Sequence, residues 1–369
     1  MPIPTKYHPN IAKYLNAMCV IDGASIGKGS HIMEQTTSIA MPHGKEDISL
    51  SDLLRRTGIV GQILALVIVL GFFGLMVGPR YFSPDNLAAI AGLAGVPIIL
   101  CLGIHQVIVI GGMDMSLEGV VGICGVAVGL LLHNGANSLD LGLWIIPVVM
   151  LLGGAVGVVS GIIHTKLKMP SFIATLGVNW VFFGLAILVT GGRSIPILDT
   201  RFQKVVTGSQ ILGLPNIFLI ALALACFFEL FQTRTRIGVA IYAVGGDETL
   251  ARQAGINIAR LKIIVFAIAG VMYGIAALCL VTRLNSAAAL VGNLLLFPSM
   301  TAVAVGGVSL TGGLGGARNV VLGALIISAL NNGMVMMRIS PSIQDAVNGI
   351  VLIAAVAMTI DRKKLGFIK

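Results

Sequence analysis

Two carboxylates, a serine and two adjacent glycines lie together in Gly111-Gly112-Met113-Asp114-Met115-Ser116-Leu117-Glu118-Gly119, between long apolar runs. A carboxylate facing lipid is costly, so Asp114 and Glu118 must face protein, a cavity or the aqueous edge. The glycines imply a break in regular helix, tolerated at bilayer depth only where it is buried or lines water. Two readings stand. Asp114 or Ser116 caps the helix that follows, or the break belongs to a translocation path for a polar solute. A related string, Gly306-Gly307-Val308-Ser309-Leu310-Thr311-Gly312-Gly313, occurs late in the chain. Paired breaks suit a transporter with broken helices in corresponding positions, and equally suit shared turn chemistry.

A second constellation is polar and lies outside the apolar runs: Tyr242-Ala243-Val244-Gly245-Gly246-Asp247-Glu248-Thr249-Leu250-Ala251-Arg252-Gln253-Ala254-Gly255-Ile256-Asn257. Asp247 suits an N-cap and Glu248 the positive end of a helix. Arg252 sits near the other end, and Gly255 suits the stop. Together they specify a rigid helix of about two turns from Asp247 to Ala254. Nothing about membrane anchoring requires it. Ala251, small and central, is expected where this helix approaches the groove of a partner most closely.

Amides inside apolar runs, Gln106, Asn179, Asn331, Asn332 and Asn348, together with Asp345, either bond between helices or offer hydrogen bonds to a hydroxylated solute. Glycines at four-residue spacing (Gly153, Gly157 and Gly161; Gly125 and Gly129; Gly270 and Gly274) put bare backbone on helix faces for close packing. HExxH and GxxxxGK[ST] are absent, no catalytic residue is assigned, and ATP chemistry of the latter kind needs a separate subunit. Cys19, Cys101, Cys124, Cys226 and Cys279 form neither a CxxC pair nor a His/Cys cluster, so no metal site is expected.

The elements that position these residues follow from composition. The chain has 369 residues, 56% hydrophobic and only 11% charged, too little polar surface for a globule in water. An all-α polytopic membrane protein is expected, with about ten transmembrane spans at 58–77, 86–110, 117–133, 142–163, 170–190, 212–231, 262–281, 294–310, 319–337 and 343–360. Pro97 is expected to kink the second, and Pro298 with nearby glycines to interrupt the eighth. Residues 1–57 read as a polar cytoplasmic extension without a cleavable leader. Ile11, Tyr14, Leu15, Met18 and Cys19 there mark one face of an amphipathic helix. The transmembrane body is 58–360, with the internal loop at 232–261 and a tail at 361–369. With both termini inside, 18 of the 24 basic residues are cytoplasmic and 6 external, as the positive-inside rule requires. The net charge of +9 therefore reads as topology and not as nucleic-acid binding.

The run GVAIYAVGGDETLARQAGINIARLKI closely resembles the coupling segment of sugar-type permeases of bacterial ABC importers. GGMDMSLEG at 111–119, KMPSFIATLG at 168–177, VAVGGVSLTGG at 303–313 and NNG at 331–333 match the same family in order. The resemblance implies an inner-membrane permease subunit that works as a dimer with a second copy or a paralogue. It also implies ABC ATPase subunits that carry the ATP and Mg²⁺, a periplasmic solute-binding protein, and a small polar solute such as a monosaccharide. Gly245, Gly246, Asp247, Glu248, Ala251, Arg252 and Gly255 would couple to the ATPase, and Asp114, Ser116, Asn179, Asn331 and Asn332 are candidates for the path. Phe297-Pro298-Ser299-Met300 stands where the family has an acidic Glu-Leu-Asp stretch, and Leu314 to Asn319 is longer than the family's turn. The alternatives are an ion-coupled secondary transporter, which would need carboxylates within the spans, or a same-family permease for a nucleoside or a signalling molecule.

Overall fold

The computed structural model describes residues 59–135, 137–208, 210–211 and 213–359. The extension 1–57, its amphipathic helix and the tail 361–369 lie outside the described residues. Twelve helices carry the described fold: α1 (Ile59–Val77), α2 (Pro84–Val109), α3 (Leu117–Leu131), α4 (Ile145–Lys166), α5 (Ser171–Thr190), α6 (Asn216–Arg234), α7 (Arg236–Gly246), α8 (Glu248–Gln253), α9 (Ile258–Leu284), α10 (Leu296–Val305), α11 (Ala317–Met336) and α12 (Pro341–Thr359). Five short helical turns (Pro79–Phe82, Gly142–Trp144, Thr200–Gln203, Lys204–Gly208 and Ala289–Gly292) and four two-residue strands complete it.

Each of the ten predicted spans coincides with a helix. Seven of the helices (α1, α2, α4 with the turn before it, α5, α6, α9 and α11) are long and apolar enough to cross a bilayer. α3 has 15 residues and α10 has 10, about 22 and 15 Å long, short of a hydrocarbon core of about 30 Å. In the predicted segment 294–310, helix covers only 296–305. Pro298 does not interrupt that helix. It is the third helical residue, in the first turn, where a missing N–H breaks no intrahelical bond. Pro97 likewise lies within a continuous α2.

The two longest helices, α2 and α9, form the centre. α2 is buried almost continuously from Ala94 to Val109. α2 starts on Ser83, whose Oγ accepts the Asn86 N–H at 3.3 Å. Asn257 caps α9 by accepting the Arg260 N–H at 3.0 Å, and Asn285 ends it in the left-handed region at φ 54°. α9 lies along α4 backbone to backbone. Gly153 and Gly157 face the carbonyls of Gly270 and Phe266, and a Cβ on Gly161 would come 2.8 Å from the Ile263 Cα. The four-residue glycine spacing is thus a packing seam.

The ends of α2 and α10 and the starts of α5, α9 and α11 gather at the end that carries α7 and α8, here the loop face. At the opposite, far face, Ile195–Pro196 pairs antiparallel with Ser286–Ala287, and Arg201 bridges Asp140 and Asp199 at 2.6 Å each. α7 itself departs from the sequence reading, which expects only loop before Asp247. Gly238, Ile241 and Val244 are buried at three-residue spacing, and Thr235 Oγ1 caps the helix by accepting the Gly238 N–H at 3.0 Å.

Candidate functional site

The first glycine string is a helix stop followed by an extended strap. Gly111 lies at φ 81°. Its N–H bonds Ile108 O, and the Gly112 N–H bonds Val107 O, both at 2.9 Å. These are the two bonds of a Schellman cap, and the left-handed position is one that glycine occupies without strain. The strap that follows has amides with no helical partner. α5 supplies the partners from one face: Ser171 Oγ accepts the Met113 N–H (2.9 Å), Thr175 Oγ1 the Met115 N–H (2.9 Å) and Asn179 Oδ1 the Gly119 N–H (2.6 Å). Residues four apart on a helix stack along one face, so the three side chains form a ladder that the strap climbs. Asn179 is about 12 Å along α5 from Ser171 and about 16 Å short of Thr190. α3 therefore begins near the middle of the apolar layer.

The candidate path residues of this string are fastened inward. Asp114 is only 2% exposed. Its Oδ1 accepts the Ser116 N–H (2.8 Å) and hydroxyl (2.6 Å), and its Oδ2 accepts the Tyr273 hydroxyl of α9 (3.0 Å). Ser116 occupies the N-cap position of α3 without a side-chain capping bond, and its hydroxyl donates to Asp114. The set Asp114, Ser116 and Asn179 holds the break in shape. Asn331 and Asn332 are elsewhere, on α11. Asn331 Oδ1 accepts the Asn348 amide at 3.1 Å, Asn332 is buried, and their neighbour Gly333 packs against Phe73 of α1.

The second string repeats the stop. Gly307 lies at φ 76°, its N–H bonds Ala304 O at 2.9 Å, and the Val308 N–H bonds Val303 O at 3.3 Å. The structural counterpart of Gly111 is thus Gly307, one residue off the alignment of the glycine pairs in sequence. The turn beyond it returns to the first break, where the Gly313 N–H bonds Val109 O, the last residue of α2, at 2.9 Å.

The α7–α8 segment meets both breaks at this point. A Cβ on Gly245 would collide with Val109 O and come 2.7 Å from the Gly313 nitrogen, so only glycine fits. Gly246 packs alongside, its nitrogen 3.0 Å from where a Gly313 Cβ would stand. Tyr242 of α7 adds bonds from its hydroxyl to Gly315 O (2.7 Å) and to Gln232 Oε1 of α6 (3.1 Å). α8 is built as its sequence dictates. Asp247 Oδ1 accepts the Thr249 and Leu250 N–H groups at 2.8 and 3.0 Å. Gly255, at φ 84°, closes the far end. Glu248 pairs with Arg252 one turn on and with Lys262 of α9, both at 2.9 Å. The hydrogen bond from Lys262 holds the Glu248 carboxyl below its ordinary range.

Ala251 corrects the sequence reading. It is 5% exposed and packs into this chain's own core, not toward a partner. The outward residue is Leu250, 61% exposed. Ala251 joins the main apolar core, with Ile256 packed against it, and Leu250 and Gln253 stay exposed.

Glu118 is the site residue that the candidate set lacks. Its Oε1 accepts the Leu296 N–H at the start of α10 (3.3 Å), and its main chain packs on Gly292. The sequence signalled it as a carboxylate in the first glycine string that must face protein, a cavity or the aqueous edge.

Residues 86–356 match the family described as branched-chain amino acid transport system / permease component. The ribose import permease of Haemophilus influenzae is 34% identical over 301 residues, covering 80% of this chain and 91% of that protein. The D-allose permease of Escherichia coli K12 is 30% identical over 301 residues (81% and 90%). The galactose/methyl galactoside permease of Salmonella typhimurium is 30% identical over 313 residues (81% and 93%). No solved structure matches the chain. The matched region holds both helix breaks and the glycine contact that joins them to α7, and across more than two thirds of its length the chain belongs to this family of transport-system permease components.

Proposed function

We propose that this chain is the membrane-spanning permease subunit of an ATP-driven importer for a monosaccharide, working in a bacterial inner membrane. The observation that carries the mechanism is the Gly245 contact. The exposed α7–α8 segment touches, backbone to backbone, the last carbonyl of α2 and the turn after α10. A displacement of α8 is therefore delivered to both helix breaks at once, without a flexible linker whose ordering would recur in each cycle at about 1–2 kcal/mol per residue. The surface that receives the displacement is the Leu250 face. An exposed leucine on a capped, charge-pinned helix gains from burial in a partner pocket, here on a separate ATPase subunit that binds ATP and Mg²⁺.

Ten spans fit this reading, with α3 and α10 crossing together with the irregular segments before them. The 18 to 6 division of basic residues supports cytoplasmic termini and a cytoplasmic α8, the side on which an ATPase subunit works. The far face then meets a periplasmic solute-binding protein, and a second permease copy or a paralogue completes the path. The choice of a monosaccharide rests on the ribose, allose and galactose permeases, not on the family description.

The chain, reconstituted with its cognate ATPase and binding protein, is expected to take up one of D-ribose, D-allose or D-galactose with ATP. Uptake of leucine in place of any sugar would overturn the substrate class. Leu250→Arg is expected to release the ATPase and abolish stimulated hydrolysis while leaving the melting temperature of the isolated permease within about 1–2 °C, as for an exposed substitution. Unchanged assembly and hydrolysis would remove α8 from the coupling role.

A further inference from the structure

The segment between α9 and α10, residues 285–295, runs down into the molecule along α3. Ala287 lies against Gly129, Ala289 against Gly122, and Gly292 against the backbone of Glu118. From Gly129 to Glu118 is about 16 Å of helix, so the segment descends from the far face to the level of Asn179, near the middle of the apolar layer. It is not helical on the way. Asn285 and Leu294 hold φ 54° and 63°, and a single 3₁₀ turn, Ala289–Gly292, interrupts it. At its lowest point Asn293 and Leu294 are exposed, Leu294 by 69%, and Phe297 at the start of α10 by 60%. Among the described residues the Leu294 N–H and the Asn293 side chain form no hydrogen bond.

Irregular backbone with unpaired polar groups does not face lipid at this depth; it is tolerated where it is covered by protein or lines water. Glu118 stands at the same point, part-exposed, with one carboxyl oxygen on the Leu296 N–H. Among the described residues it has no basic partner. A carboxyl group this deep and without a cation also belongs on an aqueous or polar cavity. Two independent features, free backbone and an unpaired acid, thus mark one face.

We infer that the face formed by Glu118, Asn293 and Leu294 lines the solute path, and that Glu118 is its solute-contacting residue, accepting hydrogen bonds from the hydroxyls of a sugar. The chemistry of this contact rests on the monosaccharide reading above; the location of the path does not. A carboxylate accepts from two neighbouring hydroxyls at once, and such charge-assisted bonds are about twice as strong as neutral ones. Asn293 offers a donor beside it. Asp114, Ser116 and Asn179 serve this face from behind by fixing the strap that carries Glu118.

Two arms test the inference on the full importer complex. In the first, Asn293→Cys and Leu294→Cys, in a chain lacking its native cysteines, meet a charged, membrane-impermeant methanethiosulfonate in each nucleotide state. Modification in at least one state is expected. Reaction only with a lipid-soluble maleimide would put the face against lipid and overturn the inference. In the second, Glu118→Gln keeps the oxygen that caps Leu296 and removes the charge. Sugar uptake is expected to fall about tenfold or more, as for loss of a charge-assisted bond, with assembly and ATP hydrolysis stimulated by loaded binding protein retained. Glu118→Asp should restore part of the uptake. Wild-type uptake by Glu118→Gln would overturn its role. Labelling needs no sugar, so a wild-type complex that moves none of the three sugars yet labels from water would overturn the monosaccharide reading and support the path.

Discussion

The strap before α3 and the segment before α10 do the same job in opposite ways. Each brings the chain to mid-depth so that a short helix starts there, α3 at Leu117 and α10 at Leu296. The strap buries Asp114 and Ser116, and the amides of Met113, Met115 and, in the first turn of α3, Gly119 are matched by Ser171, Thr175 and Asn179. The segment before α10 leaves Asn293 and Leu294 uncovered. Broken helix at depth is therefore not one kind of feature: one break is braced by side chains of a neighbouring helix, and the other turns Asn293 and Leu294 outward.

The most severe way to disturb this arrangement is to separate the enclosed break from its neighbours. Gly245→Val puts a branched side chain where the Val109 carbonyl and the Gly313 amide already stand. Overpacking against backbone that cannot yield is expected to cost on the order of 3 kcal/mol or more, seen as loss of monodisperse protein in detergent chromatography. A Gly245→Val protein of normal yield and melting temperature would mean that α7 is not seated on the breaks.

The comparison itself is sharpened by a matched pair. Asn179→Leu leaves the buried Gly119 amide unsatisfied and is expected to cost about 1–3 kcal/mol. Asn293→Ala, in the uncovered segment, is expected to stay within about 0.5 kcal/mol. Thermal unfolding of the two proteins in one detergent decides the matter, and equal losses would erase the distinction between scaffold and path.

The smallest effect concerns the anchor of α8. The Glu248 carboxyl is held below its ordinary range first by the hydrogen bond from Lys262. A group whose folded value is depressed stabilises above its unfolded value, about 4.3, and loses that contribution as pH falls through the lower folded value. Lys262→Met is therefore expected to weaken the fold slightly at neutral pH, by no more than about 1 kcal/mol for a part-exposed pair. The difference between the two proteins should vanish well below pH 4. A constant difference across that range would assign the loss to packing of the lysine stem.

What the sequence determined by itself is what depends on neighbours in the chain. Apolar runs marked each of the seven helices long and apolar enough to cross a bilayer, because crossing lipid is decided residue by residue. Asp247, Glu248, Arg252 and Gly255 specified α8 and its ends, because caps, dipole charges and left-handed stops act within a turn. Family membership was legible in the same local strings. The tertiary structure decided the rest. It turned Ala251 inward and Leu250 outward, since a six-residue helix with one apolar side takes its orientation from the core it packs against. It matched Gly111 with Gly307 and not with Gly306, because the left-handed position is set by where each helix stops. It assigned Asp114, Ser116 and Asn179 to the scaffold and left Glu118 on the open face. Their partners, Gly119 for Asn179, Tyr273 for Asp114 and Leu296 for Glu118, are 60, 159 and 178 residues away, and no local pattern records which distant group a side chain will meet.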